Sequence, residues 1–152
     1  MKKQSAIVSQ SPPAPAAMAL ASGLRMTRQR REVFDVIQNK RDHPTATEVF
    51  MRVKSRMPGI SLATVYNCLE TLTENGLILQ VNLDRAPSRY CPNLEEHGHF
   101  HCLQCGHITD VPFTHPTGAT GMVNLPKGAC VSRVEFSLRG TCPSCTRKAA
   151  RS

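Results

Sequence analysis

The stretch SLATVYNCLETLTENG, residues 61–76, decides the fold of the N-terminal half of the chain. Ser61 is a residue type that caps helix N-termini, and Gly76 is one that ends helices. Between them, apolar residues recur at helical spacing, at Leu62, Val65, Leu69 and Leu72. The pattern predicts an amphipathic helix with small, polar or aromatic side chains on its outer face.

Two shorter helices are predicted before this one. Thr27 is an N-cap candidate for the first, and Thr45 with Glu48 three residues later forms a capping-box pattern at the start of the second. After residue 76, a segment rich in Leu, Ile and Val is interrupted by the turn DRAP, residues 84–87, which predicts a two-stranded hairpin. Three helices and a hairpin indicate a winged helix-turn-helix, with an ordinary helical bundle as the alternative.

Positive charge is concentrated around these helices. The 152-residue chain has a formal net charge of +8, and residues 22–66 hold nine Lys or Arg against four Asp or Glu. Such a bias favours nucleic acid as a partner, although a solvated basic surface is the alternative. Residues 1–22 are rich in Ala, Pro and Ser, which predicts a disordered arm and neither a secretory signal nor a membrane span. We therefore expect a cytoplasmic protein.

Two Cys-x-x-Cys pairs characterise the C-terminal half. They are Cys102 with Cys105 and Cys142 with Cys145. Each pair lies in a predicted turn that can direct two thiolates at one ion, and four thiolates fit a closed structural zinc site. Two separate redox pairs are the alternative.

A second group of metal-type ligands precedes the first cysteine pair. His97 and His99 are two residues apart, so on a strand they face the same side, whereas Cys102 faces the other. This parity predicts a second site, which needs further ligands from outside the strand. Cys91, Asp110 and His43 are candidates, and a site that includes His43 would connect the helical half to the strand half.

Together these features resemble the ferric uptake regulator family of bacterial metal-responsive repressors, from residue 23 to about 146. The resemblance is carried by GLRMTRQR, HPTATEVF, GISLATVYNCLETLTENGLI, SRY, HGHFHCLQCG and GTCPSC. It implies an α/β (α+β) fold, with an N-terminal winged helix-turn-helix followed by a small C-terminal α/β dimerisation domain that holds structural zinc. The implied organisation is a disordered arm at 1–22, a DNA-binding domain at 23–83, the hinge and end of the wing at 84–92, a metal-binding dimerisation domain at 93–146 and a basic tail at 147–152.

The resemblance also assigns residues and partners. Homodimers of the family bind A·T-rich inverted repeats in double-stranded DNA when a regulatory metal is present. The structural zinc ligands carried over are Cys102, Cys105, Cys142 and Cys145. The regulatory metal ligands carried over are His43, Cys91, His97, His99 and Asp110. The expected DNA-binding residues, among which Tyr66 corresponds to the base-contacting tyrosine, are Arg25, Thr27, Arg28, Arg30, Ser61, Ala63, Thr64, Tyr66 and Asn67.

The ligand types bear on which regulatory metal the second site binds. A thiolate at Cys91 with imidazoles suits zinc, which predicts a zinc-sensing repressor of metal-homeostasis genes. The alternative is an iron- or manganese-loaded peroxide-sensing repressor. A zinc hydrolase or deaminase is less favoured, because no glutamate follows His99 at the required spacing, and so is a thiol redox protein. We expect no enzyme activity, no membrane association and no small organic substrate.

The sequence also predicts the local structure of one segment and of two cysteines. Residues 114–128 are rich in Thr, Gly and Pro, so the helix that the family places there is expected to be short or irregular. Cys68 is expected to pack as a small hydrophobic residue, and Cys130 to lie on a strand.

Overall fold

The computed structural model describes residues 23–114 and 118–151, so the predicted N-terminal arm and His115 lie outside the described residues. The helices, in chain order, are α1 (Arg28–Asn39), α2 (Ala46–Lys54), α3 (Leu62–Glu74) and α4 (Pro143–Ala149). The strands are β1 (Leu79–Leu83), β2 (Ala86–Cys91), β3 (His97–Cys102), β4 (Ile108–Pro112) and β5 (Ser137–Gly140). The mixed helix and sheet architecture is confirmed. In the described ranges, no helix is long and apolar enough to cross a membrane.

The three N-terminal helices begin where the capping residues predict. The side chain of Thr27 accepts a hydrogen bond from the backbone of Arg30 at the start of α1. Thr45 and Glu48 form the complete capping box of α2. The hydroxyl of Ser61 accepts from the backbone of Thr64 at the start of α3. Each cap pairs a backbone N–H that the first helical turn leaves without an intrahelical partner.

The apolar faces of α1, α2 and α3 form one core. Val33, Ile37, Val49, Val65 and Leu69 have no exposed surface there. Cys68 also belongs to this core, which confirms its expected packing as a small hydrophobic residue. Burial raises the pKa of its thiol, so the group stays protonated.

The hairpin of β1 and β2 contributes to two cores. The strands pair antiparallel around a turn in which Arg85 adopts a left-handed conformation with φ of 58°, as the predicted hairpin requires. Ile78 and Tyr90 pack into the helical core. Val81 and Cys91 join a second buried cluster with Ile108 of β4. The hairpin therefore crosses the boundary predicted between residues 83 and 84, and the domain limits stay a prediction.

The second sheet has the order β4-β3-β5, with β3 antiparallel to β4 and parallel to β5. Gly98 lies at its centre, where a Cβ atom would come within 2.7 Å of the Phe136 ring. The described part of residues 114–128 forms only a 3-10 helix at Gly118–Met122, consistent with the expected short element. Cys130 is exposed and lies outside any strand, so that expectation was wrong. Its local sequence, VSRVEF, includes β-branched residues, but pairing with β3 begins only at the end of this segment, where the Phe136 carbonyl accepts from the backbone of His99, and β5 itself starts at Ser137.

Candidate metal centres

The four cysteines of the two Cys-x-x-Cys pairs come together at one end of the second sheet. Cys102 ends β3, Cys105 lies in the following turn, and the other pair lies at the start of α4. Their sulfur atoms all lie within 4.8 Å of one another, and the sulfurs of Cys105 and Cys142 are 3.8 Å apart. One four-sulfur cluster fits this arrangement better than two separate redox pairs.

Backbone N–H groups stabilise a thiolate in this cluster, which favours the binding of a cation. Hydrogen bonds from the backbones of Cys105 and Cys142 lower the pKa of the Cys102 thiol to about 6. The backbone N–H of Cys142 lies 3.3 Å from that sulfur. The side chains of Cys142 and Cys105, in contrast, raise the pKa of Cys145 to about 12, because the cluster resists a further negative charge. A divalent metal would remove that repulsion, and soft sulfur donors suit zinc.

A second cluster joins four different elements of the chain. His43 lies between α1 and α2, Cys91 ends β2, His99 lies in β3 and Asp110 lies opposite it in β4. One ligand atom from each of these residues lies within 4.8 Å of the others. The register of β3 and β4 pairs His99 directly with Asp110. Residues that are distant in sequence are thus assembled into a compact donor set.

His43 is the strongest indication that this donor set fits a metal. The residue is 3% exposed, and neither ring nitrogen has a hydrogen-bond partner. Its Nε2 lies 2.7 Å from Oδ1 of Asp110, but the angles are not those of a hydrogen bond. The two groups are close enough for an ion pair, but their poor alignment leaves little hydrogen-bond energy between them. Two ligand-type groups that lie this close and form no hydrogen bond with each other fit ligation of a divalent metal.

Burial keeps the imidazoles of this cluster in the neutral form that binds metals. Desolvation lowers the pKa of His43, although Asp110 opposes that shift. Desolvation, together with His97 and His43, lowers the pKa of His99 to about 4. Burial raises the pKa of the Cys91 thiol to about 12. Without a cation, therefore, the cluster holds neutral histidines and a protonated thiol around one carboxylate.

His97 lies beside these four residues. Its Nε2 is 3.0 Å from Nε2 of His99 and 3.5 Å from both the Cys91 sulfur and Oδ1 of Asp110. Its Nδ1 lies 2.6 Å from the carbonyl oxygen of Glu95, which can only accept. Nδ1 therefore donates to this carbonyl, which turns Nε2 toward the cluster. The structure thus brings all five expected regulatory residues together, four of them in the set whose ligand atoms lie within 4.8 Å of one another and His97 beside that set.

Sequence reasoning missed two residues that support this cluster. Arg89 donates a hydrogen bond to the carbonyl of His43. Asn93 contacts both Cys91 and Asp110. An asparagine two residues after a candidate ligand, in Cys-Pro-Asn, was an available signal, because Asn side chains order turns of this kind. No spacing rule pointed to Arg89, which acts across 46 residues of sequence.

The expected DNA-binding residues divide into exposed and capping groups. Thr27 and Ser61 serve as N-caps, and Thr64 shares the Ser61 hydrogen bonds. Arg30 is half-buried and donates to the carbonyl of Arg25. Tyr66 on α3 is 50% exposed although it is aromatic. The side chains that project freely into solvent belong to Arg25, Arg28, Ala63, Tyr66 and Asn67.

The chain is similar in sequence and in fold to known regulators. Residues 21–117 match the Ferric uptake regulator family. The chain is 30% identical to the "Peroxide operon regulator" of Bacillus subtilis (strain 168) over 127 residues, which cover 84% of this chain and 88% of that protein. The solved peroxide stress regulator of Campylobacter jejuni is 28% identical, with a TM-score of 0.63 over 86% of this chain and 95% of that one. The ferric uptake regulator of Francisella tularensis, solved with iron, is 26% identical, with a TM-score of 0.65 over 82% of this chain and 96% of that one.

Proposed function

The chain belongs to the Ferric uptake regulator family, whose members are metal-responsive regulators, and from this premise we propose that it is a DNA-binding repressor controlled by zinc. The cluster of His43, Cys91, His99 and Asp110 carries this proposal. It combines a thiol and imidazoles with only one carboxylate, and such donors favour zinc over metals that prefer oxygen. We place the structural zinc at Cys102, Cys105, Cys142 and Cys145.

The position of the regulatory cluster supports its control of DNA binding. His43 belongs to the helical unit, whereas His99 and Asp110 belong to the second sheet. A metal bound there would supply the positive charge that holds these ligands together. The chain's own contribution is to fix the helical unit, including α3, relative to the sheet. We propose that residues 23–83 bind DNA, residues 84–92 form the hinge and residues 93–146 pair two copies of the chain.

The exposed face of α3 supports double-stranded DNA as the partner. Tyr66 and Asn67 project from the helix, and Arg28 lies exposed at the start of α1. These groups suit base edges and phosphates respectively. Two such faces in a homodimer would match an inverted repeat, and we propose an A·T-rich one.

A peroxide-sensing repressor is the second candidate. It is favoured by the names of the relatives, since both the Bacillus subtilis protein and the Campylobacter jejuni structure are peroxide regulators. In that case Fe(II) or Mn(II) would occupy the regulatory cluster, and Cys91 would be an oxidisable ligand.

We propose no catalytic role for this cluster. Glu96, the acidic residue next to His97, accepts a hydrogen bond from the backbone of Ala119 and is not part of the donor set.

Metal content and DNA binding together test the proposal. Purified protein should hold two zinc ions per chain, and zinc at the second site should govern binding to a palindromic operator. His99→Ala should lose one zinc and all metal dependence, whereas His107→Ala, which alters an exposed histidine outside the cluster, should lose neither. One zinc per chain, with DNA binding restored only by Fe(II) or Mn(II) and lost on exposure to peroxide, would establish the second candidate instead.

A further inference from the structure

Asn93 is held between two ligands of the regulatory cluster. Its side-chain amide donates from Nδ2 to Oδ2 of Asp110 at 3.0 Å. Its side-chain oxygen accepts from the backbone of Glu95 at 3.2 Å, which closes a turn and fixes the amide. Its own backbone N–H donates to the Cys91 sulfur at 3.4 Å. Together with the Cys91 thiol, which donates to the Asn93 carbonyl oxygen at 3.9 Å, these contacts hold the residue in place.

The contact with Asp110 leaves the two oxygens of that carboxylate unequal. Oδ2 is engaged by Asn93, whereas Oδ1 faces the imidazoles. Oδ1 lies 2.7 Å from Nε2 of His43, 3.5 Å from that of His97 and 3.8 Å from that of His99. Only one oxygen of the carboxylate is therefore turned toward the donor set.

The same residue orders two other ligands. Its backbone N–H lies 3.4 Å from the Cys91 sulfur and helps to hold that side chain in place. The turn that it closes at Glu95 positions the carbonyl that holds Nδ1 of His97. Asn93 contacts or orders three ligands, while both polar atoms of its own side chain are engaged, Nδ2 by Asp110 and Oδ1 by the backbone of Glu95.

We propose that Asn93 determines the metal specificity of this site by holding Asp110 to a single donor oxygen. Zinc is satisfied by four ligands, whereas Mn(II) favours six, mostly oxygen. A carboxylate free to bind through both oxygens would add a further oxygen donor and favour the larger coordination number. Asn93 is a positioning residue, and this inference rests on the proposed regulatory role of the cluster.

Two substitutions separate this role from a general effect on the turn. Asn93→Ala removes all side-chain contacts. Asn93→Ser retains a short hydroxyl that can accept from Glu95, but it cannot reach Asp110. Asn82→Ala is the matched control, since the hydrogen bonds that the Asn82 side chain accepts come from Gln80 and Ser88 on the hairpin and not from a cluster ligand.

The experiment uses full-length protein with zinc at the cysteine cluster, into which Co(II), Zn(II) and Mn(II) are titrated separately. Co(II) in the wild type should give the strong visible absorption of a four-coordinate ion. Both Asn93 variants should show a weaker band, and their affinity for Zn(II) should fall by about tenfold to hundredfold. Their affinity for Mn(II) should fall less. The ratio of the Zn(II) affinity to the Mn(II) affinity should therefore decrease at least about tenfold, within the range typical of residues that orient metal ligands. Asn82→Ala should match the wild type.

The outcomes distinguish this inference from the proposed function. If His99→Ala abolishes the second metal but both Asn93 variants keep the wild-type Co(II) spectrum and affinity ratio, the role of Asn93 is refuted and the regulatory site stands. If wild-type protein binds no second metal, the proposed function fails as well. Retention of zinc at the cysteine cluster and an unchanged thermal midpoint show whether each variant is folded. If Asn93→Ala fails to fold, the Asn93→Ser spectrum and ratio decide the question.

Discussion

The guanidinium of Arg89 donates a hydrogen bond from Nη1 to the carbonyl oxygen of His43 at 3.0 Å. His43 has a φ of 53°, a left-handed conformation that costs free energy for a residue other than glycine. Tyr90 holds the adjoining residue, because its N–H donates to the carbonyl of Pro44. Strand β2 therefore holds the loop that carries one proposed regulatory ligand, His43, and ends in another, Cys91.

Removing the Arg89 contact should weaken metal binding without abolishing the site. We expect Arg89→Ala to lower the affinity of the regulatory site for Zn(II) by about tenfold, a typical loss when a group that orients a ligand is removed. Arg89→Lys should recover little, since an ammonium cannot reproduce the guanidinium geometry. Competition with a zinc chelator measures the affinity. Lys127→Ala, an exposed basic control, should bind like the wild type; equal affinity in all three variants would refute the role of Arg89.

The central glycine of β3 should be irreplaceable. In Gly98→Ala the new Cβ would lie 2.7 Å from the Phe136 ring and 3.2 Å from its carbonyl oxygen. That same carbonyl accepts a hydrogen bond from the backbone of His99, so relief of the clash would displace a proposed metal ligand. We expect the free energy of unfolding to fall by about 1–3 kcal/mol, as for an overpacked core. Gly59→Ala is the control, because nothing lies within 4 Å of its Cβ position. Chemical denaturation measures both, and a Gly98→Ala protein as stable as the control would contradict this packing.

The capping box of α2 should make stability depend on pH. The backbone N–H of Thr45 lowers the pKa of Glu48, with the Thr45 hydroxyl and Arg89 adding to the effect against a desolvation penalty. Because the folded pKa is depressed, this stabilisation is complete above the unfolded value near 4.5 and is lost as the pH falls through the folded pKa. Glu48→Gln should therefore lose less stability than the wild type over that acid range. Thermal midpoints between neutral and acid pH measure the difference, and parallel curves would argue against it.

The cysteine cluster should stabilise the C-terminal part of the chain. Cys102→Ser removes a buried sulfur donor, so we expect loss of one zinc per chain and earlier unfolding of β3, β5 and α4. Cys130→Ser changes an exposed thiol outside the cluster and should alter neither property. Metal analysis and hydrogen exchange measure the two effects. Full zinc retention in Cys102→Ser would show that the four sulfurs do not form one metal site.

The aromatic side chain on α3 should act in DNA binding rather than in folding. Tyr66 is half exposed, so Tyr66→Ala should change the free energy of unfolding by less than about 0.5 kcal/mol. Loss of one base contact typically costs about 1–3 kcal/mol, so operator affinity should fall by at least about fivefold. Gln104→Ala, an exposed change in the cysteine turn, should leave affinity unchanged. Unaltered binding by Tyr66→Ala would place the DNA contact elsewhere.

Local sequence patterns determined much of the fold. The caps at Thr27, Thr45 and Ser61 lie where the residue types predicted, because their hydrogen bonds connect atoms only three residues apart. Strand parity likewise separated His97 and His99 from Cys102, since alternation along a strand is a property of the backbone itself. The strand predicted at Cys130 was wrong, because β-branched residues such as its neighbours form a strand only where another strand pairs with them.

By itself the sequence determined which ligand types the chain carries, the spacing of the cysteine pairs and the helices that precede them. Only the tertiary structure decided how His43 reaches Asp110, 67 positions further along the chain, and which groups orient them. Arg89 and Asn93 illustrate the difference. Their hydrogen bonds depend on the register of β2 and on the packing of the hairpin against both cores. Those arrangements follow from the summed burial of many distant side chains, which no local pattern of residues encodes.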